Sequence, residues 1–283
     1  MSDFTETNRK HFDKVASNHQ NDFGELIAAI ITELQSRREW ISPKLAGEPK
    51  HEDGIKEADE VRLLDYACGS GTVSKALAPY TTRSIGLDLS ANMVNEYNKT
   101  AREMGYGAER MQAHRWDLLS DSTASSAPSD FLAQESYDIV ATAMALHHVA
   151  DPAKLLSRLS ELLNPGGVCV VVDMVPESES ASTGEVENVF ETIETLDPSK
   201  RGVLDTIGKQ GFTEAEMRSM YEGAGMWRRF EYVVLPEKLR FALFGRRFAF
   251  PGFVARGAKE TWRANFGRQS SCRVNDNDRP VGI

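Results

Sequence analysis

The sequence predicts an α/β fold, a mostly parallel β-sheet with helices on both faces. Three observations predict it. Between residues 60 and 175, short apolar runs alternate with stretches whose apolar residues recur at helix spacing. The first of those runs ends in a glycine turn, Cys68-Gly69-Ser70-Gly71. Residues 168–173 are nearly all β-branched, the composition of a strand buried on both faces.

Residues 1–44 read as helical, because Phe23, Leu26, Ile27, Ile30, Ile31 and Leu34 recur at helix spacing. Residues 45–59 are charged and turn-rich and read as a linker. A first strand follows at 61–67, a short helix at 72–78, a second strand at 83–87, a helix at 91–104 and a weaker third strand at 109–116. Residues 120–136 are a serine-rich loop and 137–143 a fourth strand. The helix at 151–163 is well marked: Asp151 can cap it, Pro152 suits its first position, and five leucines make one stripe before Pro165-Gly166-Gly167. The fifth strand is 168–173. Beyond it the pattern changes to a helix near 185–196, then to Thr213–Glu216, a capping box ahead of another helix. Residues 228–235 and 247–254 are two candidate strands, an antiparallel hairpin closing the sheet. Residues 267–283 read as a disordered tail.

Bulk properties narrow the function classes. The 283 residues, 41% hydrophobic and 27% charged, suffice for one large domain with a real core plus extensions. No apolar run approaches the roughly 20 residues that cross a bilayer, and the N-terminus lacks the apolar stretch of a secretory signal. The expected location is the cytoplasm, with the nucleus an open alternative. Cys68, Cys169 and Cys272 are far apart, which argues against a cysteine zinc site or a disulfide framework. No metal ligand set is expected. Net charge is −9, unevenly spread: from residue 200 onward 16 Lys and Arg stand against 9 Asp and Glu, a net of +7, leaving −16 for residues 1–199. An acidic front half argues against a nucleic-acid groove.

Ligands of an open parallel sheet sit at the carboxyl ends of its strands, where the glycine turn lies. Three ligands compete for it. A triphosphate loop needs G-x-x-x-x-G-K-[ST], which is not present. A dinucleotide loop wants a third glycine where Ser74 stands. Asp65, just before the turn, would repel a pyrophosphate and attract an ammonium or sulfonium group. Asp88 ends the second strand 17 residues after Gly71, where an acid accepts hydrogen bonds from ribose hydroxyls.

DYACGSG (65–71), GLDLSANMV (86–94), WDLL (116–119), YDIVATAMALHHV (137–149) and LLNPGGVCVVVD (162–173) together resemble the successive motifs of class I S-adenosylmethionine-dependent methyltransferases of the small-molecule type. The resemblance covers roughly residues 60–175. HFDKVASNHQND (11–22) resembles the segment that lids the cofactor in such enzymes, with His19 in place of a tyrosine, and Ala67 replaces the first glycine of the turn. The resemblance implies a Rossmann-like seven-stranded sheet and S-adenosylmethionine as cofactor, leaving S-adenosylhomocysteine as product. It also implies residue roles. Asp65 and the backbone of Ala67, Cys68, Gly69 and Gly71 would hold the methionine moiety, Asp88 the ribose, and Leu89, Met93, Asp117 and Leu118 the adenine. Ala143 and His19 complete the implied cofactor set.

The segment leaving the fourth strand carries His147 and His148, the expected base or orienting groups for the acceptor. It carries no proline, unlike the Asn/Asp-Pro-Pro-aromatic string of enzymes that methylate exocyclic amines. The expected activity is therefore methyl transfer to a small-molecule acceptor. Residues 1–44 form its helical lid and 60–266 the catalytic domain, with 176–222 a helical insertion over the site and Phe190, Met217, Met220 and Tyr221 available to line it. Alternatives are a protein methyltransferase, or a regulatory subunit of this fold acting through a protein partner.

Overall fold

A computed structural model describes residues 3–50, 60–120, 136–176, 189–195 and 198–261. The serine-rich loop, the tail and most of the linker lie outside the described residues. Nine strands are described: β1 Arg62–Tyr66, β2 Arg83–Asp88, β3 Met111–Arg115, β4 Tyr137–Ala143, β5 Leu163–Met174, β6 Arg228–Val234, β7 Leu239–Leu243, β8 Arg246–Phe250 and β9 Gly252–Ala258. Seven form one sheet in the order β3-β2-β1-β4-β5-β9-β6, in which β9 alone runs opposite to the other six. Strands β7 and β8 make a separate antiparallel hairpin. This is the Rossmann-like α/β architecture expected.

The C-terminal strands depart from the expected boundaries. The run 247–254 is two strands, β8 and β9, parted at Pro251. Proline has no N–H to give a ladder, so the chain turns there. The partner of β6 in the main sheet is therefore β9, not the first half of that run.

Side chains alternate between two cores. Leu63, Ile139, Val170 and Val172 face one side, and Leu64, Val140, Cys169 and Val171 the other. The helices are α1 Asp3–Val15, α2 His19–Ser36, α3 Arg38–Ile41, α4 Thr72–Leu77, α5 Ala91–Glu103, α6 Pro152–Glu161, α7 Val189–Glu194 and α8 Glu214–Gly223. Helices α2 and α4 cover the first core and α6 and α8 the second. The expected caps are present: Asp151 accepts from the Lys154 N–H at 2.9 Å, and Thr213 and Glu216 form the reciprocal box.

Two expected regions shift role. Helix α2 buries Leu26, Ile27, Ile30 and Leu34 in the core, and Leu45, expected in the linker, is fully buried in a 3₁₀ turn. Only α1, whose one buried residue is Asn8, lies outside that apolar packing. In the insertion, Met217 and Tyr221 of α8 point into the second core, because residues four apart share a helix face.

Candidate active site

A cavity of about 200 Å³ opens at the carboxyl ends of β1, β2 and β4, and α1 and α2 close over it. The turn after β1 shapes one wall. Ala67 and Gly69 hold positive φ of 53° and 51°, and a Cβ built on Gly69 would meet nothing within 4 Å. Bare backbone thus faces open space, a cradle for a closely approaching ligand. Gly71 serves a different purpose. It caps α4 at φ 89°, and a Cβ there would sit 3.1 Å from the Tyr97 ring.

Asp65 is 1% exposed and faces α4. The Ser74 N–H and hydroxyl both donate to its Oδ2, at 3.0 and 2.8 Å, and the Tyr97 hydroxyl donates in turn to Ser74 Oγ at 2.8 Å. The residue that breaks the dinucleotide pattern therefore positions the carboxylate. Burial raises the Asp65 pKa to about 7 against the opposing pull of the Ser74 bonds, and nearby Asp88 adds to the rise. Asp88 accepts the Gly69 N–H on Oδ2 and the Ser90 N–H on Oδ1, both at 2.9 Å. Burial pushes it to about 6 despite those bonds. Two oxygens with one donor each still have lone pairs for a ligand's hydroxyls.

The cationic content of the walls is small. Arg9 is engaged by Glu6 and Asp13 at 2.6 and 2.8 Å. Burial, with Lys75 nearby, lowers His19 to about 4, so its ring is neutral at physiological pH. Its Nδ1 is buried and has no hydrogen-bond partner. Two carboxylates among neutral walls suit a ligand carrying positive charge and hydroxyl groups.

The two histidines sit in a 3₁₀ turn, Leu146–His148, directly after β4. His147 is 5% exposed, and its Nδ1 lies 2.8 Å from Oδ1 of Asp173, itself fully buried at the end of β5. Asp173 also accepts the backbone N–H of His147 at 3.3 Å and of Met174 at 2.7 Å. His148 Nδ1 lies 2.7 Å from the carbonyl of Thr206. The two rings are 4.0 Å apart, and Phe12 meets His148 edge-on at 5.0 Å. The backbone of Gly208 and Lys209 donates to the His147 carbonyl, so the segment after residue 200 buttresses the pair.

Of the fourteen expected site residues, the cavity brings together eleven: His19, Asp65, Ala67, Cys68, Gly69, Asp88, Leu89, Met93, Ala143, His147 and His148. Gly71 lies behind the wall. Asp117 and Leu118 lie on the turn after β3, where Asp117 accepts the Leu119 N–H at 2.8 Å. Phe190, Met217, Met220 and Tyr221 pack in or against the cores rather than along the cavity. Sequence reasoning missed Asp173, Thr206 and the α1 residues Asn8 and Arg9, whereas Phe12 lies in the 11–22 segment expected to lid the cofactor. For Asp173 a signal existed: a lone acid ending a β-branched, doubly buried strand needs a partner.

Comparison with known proteins agrees with this geometry. Residues 64–169 match the family described as "Methyltransferase domain". An uncharacterised methyltransferase of Schizosaccharomyces pombe is 26% identical over 244 residues, 80% of this chain and 81% of the relative. A protein of Ruegeria pomeroyi named ubiquinone biosynthesis O-methyltransferase is 29% identical over 193 residues, 62% of this chain and 73% of the relative. The crystal structure of YcgJ from Bacillus subtilis shares the fold, with a TM-score of 0.50 at 18% identity over 72% of this chain and 93% of that one. Residues 64–169 thus match a methyltransferase domain, set in the Rossmann-like fold that YcgJ shares.

Proposed function

We propose that the cavity binds S-adenosylmethionine beside a small-molecule acceptor and that the chain transfers the methyl group between them. The observation that carries this reading is the polar wall of the cavity: the buried carboxylates Asp65 and Asp88 flank the bare backbone at Gly69. The residues fit the cofactor. The backbone of Ala67 to Gly69 and Asp65 would hold the methionine moiety, with Asp65 opposite positive charge. Asp88 would accept from the ribose hydroxyls, and Leu89 and Met93 would pack on the adenine. Asp117 and Leu118 are outside the walls, so we assign the adenine end to Leu89 and Met93. His19 offers a neutral ring nitrogen where the resembling enzymes carry a tyrosine.

When bound, S-adenosylmethionine supplies a methyl group activated by the positive charge on its sulfur. The chain's own part is orientation and exclusion of water. Phe12, Phe23, Leu26 and Ile27 of α1 and α2 make an apolar roof that dries the cavity. Its enclosure supports a small acceptor over a protein side chain, as does the name of the Ruegeria relative.

Calorimetry with S-adenosylmethionine tests the reading, with an expected Kd of about 10⁻⁶–10⁻⁴ M. Labelled cofactor incubated with a metabolite extract should pass its label to a small molecule. Absence of binding by the folded protein, or label arriving only in protein, would overturn it.

A further inference from the structure

We propose that His147, with Asp173 behind it, is the general base that takes the acceptor's proton, and that the acceptor is a phenol- or enol-type hydroxyl compound with an apolar body. The proposal rests on the methyl-transfer reading of the same cavity and adds the acceptor atom and the base.

The two histidines differ in what stands behind them. Each directs Nδ1 to an oxygen, which leaves Nε2 as the acceptor nitrogen. Behind His147 the oxygen belongs to a fully buried carboxylate, 2.8 Å away. Behind His148 it belongs to the neutral carbonyl of Thr206. A carboxylate stabilises an imidazolium, and a carbonyl does so far less. Burial holds His148 well below the ordinary histidine range, and the neighbouring His147 adds to that. His148 is thus a neutral acceptor that can orient the substrate. Asp173 is a positioning residue, since it acts through His147.

Other charged and titratable groups surround the pair. From α1 they are His11 and Arg9, the latter held by Glu6 and Asp13. Asp65 and Asp88 lie in the same cavity walls, and Lys209 follows the buttressing segment with its ammonium on Glu216 at 2.6 Å. Of these acids, Asp173 is the one paired with the His147 ring, at 2.8 Å.

Phe12, Met144, Ala145 and Val149 also line the cavity and suit an uncharged, apolar body, with Asn8 adding one polar group. A histidine base matches a weakly acidic O–H, and proton removal at that point is needed for a neutral hydroxyl to act as nucleophile. The step balances. The O–H bond breaks and its proton goes to Nε2 of His147. An oxygen electron pair forms the new bond to the methyl carbon. The carbon–sulfur bond breaks with its pair left on sulfur, now a neutral thioether, and the proton later leaves to water.

The test compares two probe acceptors, phenol and thiophenol, with labelled S-adenosylmethionine at pH 8, where thiophenol is already ionised. Wild type should methylate both. H147N, whose amide takes the place of Nδ1 and can still donate to Asp173, should lose about 10²–10⁴-fold on phenol and less than about tenfold on thiophenol. D173N should show the same selective loss. In parallel, nitrogen NMR of labelled histidine should place the His147 proton on Nδ1 and leave Nε2 bare. Equal losses on both probes, methylation by wild type of thiophenol alone, or a proton on Nε2 of His147 would each overturn the proposal. Calorimetry on the same variants separates the two readings. Lost cofactor binding in wild type counts against methyl transfer itself, whereas intact binding with unselective losses counts against the base alone.

Discussion

Asp65 and Asp88 are carboxylates held in a dry place without a cation of their own. Their folded values of about 7 and 6 lie above the roughly 3.9 of an unfolded aspartate. Between those limits the native state holds more protons than the unfolded chain. Stability of the ligand-free protein should therefore fall as pH rises from about 4 to 7 and level off above. A cationic ligand reverses the sense: its affinity should rise across the upper part of the same window as the carboxylates ionise. Thermal melts from pH 5 to 8, with and without cofactor, check both signs, and Asp65→Asn should flatten the ligand-free slope. A flat wild-type slope would mean the two carboxylates are charged throughout. Asp88→Ala should weaken cofactor binding by about 1.5–3 kcal/mol, the range for hydrogen bonds to a charged group. Calorimetry on the folded variant reads this directly, and unchanged affinity would remove Asp88 from the ribose.

The turn and helix that follow β1 show what an element adds to its residues. Ser74 takes three hydrogen bonds at the start of α4, joining Asp65 to Tyr97 with no solvent contact. Ser74→Ala leaves the Tyr97 hydroxyl without its acceptor and takes one of two donors from Asp65, which keeps the residue 74 N–H. It should cost about 1.5–3 kcal/mol, measurable by denaturant titration. Much of this element level was legible. Strand β4 begins and ends where its apolar run does, and Asp151 and Thr213 cap the helices they announce, because those signals are local. Signals that depend on remote partners were not. The run around Pro251 reads as one strand until β6 is seen to pair with Gly252–Ala258 instead. Of the eleven residues that meet in the cavity, ten were legible from ordered strand-and-turn motifs and His19 from the N-terminal 11–22 segment. Asp173 stood out as an acid in need of a partner, but which partner was not legible, because His147 lies 26 residues away on a neighbouring strand's turn and only the parallel pairing of β4 and β5 joins them.

Across the whole molecule, the roof of the cavity is held in two ways. Helix α2 is part of the core through Leu26, Ile30 and Leu34. Helix α1 is held largely by polar bonds at its end: Asp13 Oδ1 accepts the Ser90 hydroxyl at 2.6 Å and the Asn92 N–H at 3.3 Å, and the Asp13 carbonyl accepts from Asn92 Nδ2 at 2.9 Å. Few buried apolar contacts and a polar latch are the marks of a segment that opens below the global unfolding energy. Ser90 also caps α5 and follows Asp88, so the latch closes against the carboxylate assigned to the ribose. Asp13→Ala removes the side-chain half of the latch and leaves the sheet untouched. Trypsin should then cut at Arg9, Lys10 or Lys14 about tenfold faster, equivalent to ~1.4 kcal/mol of lost local stability. Added S-adenosylmethionine should slow that cleavage in wild type, while the global melting temperature moves little. Unchanged cleavage in the variant would show that α1 opens only when the whole domain unfolds, and the gate to the cavity would then have to be sought elsewhere.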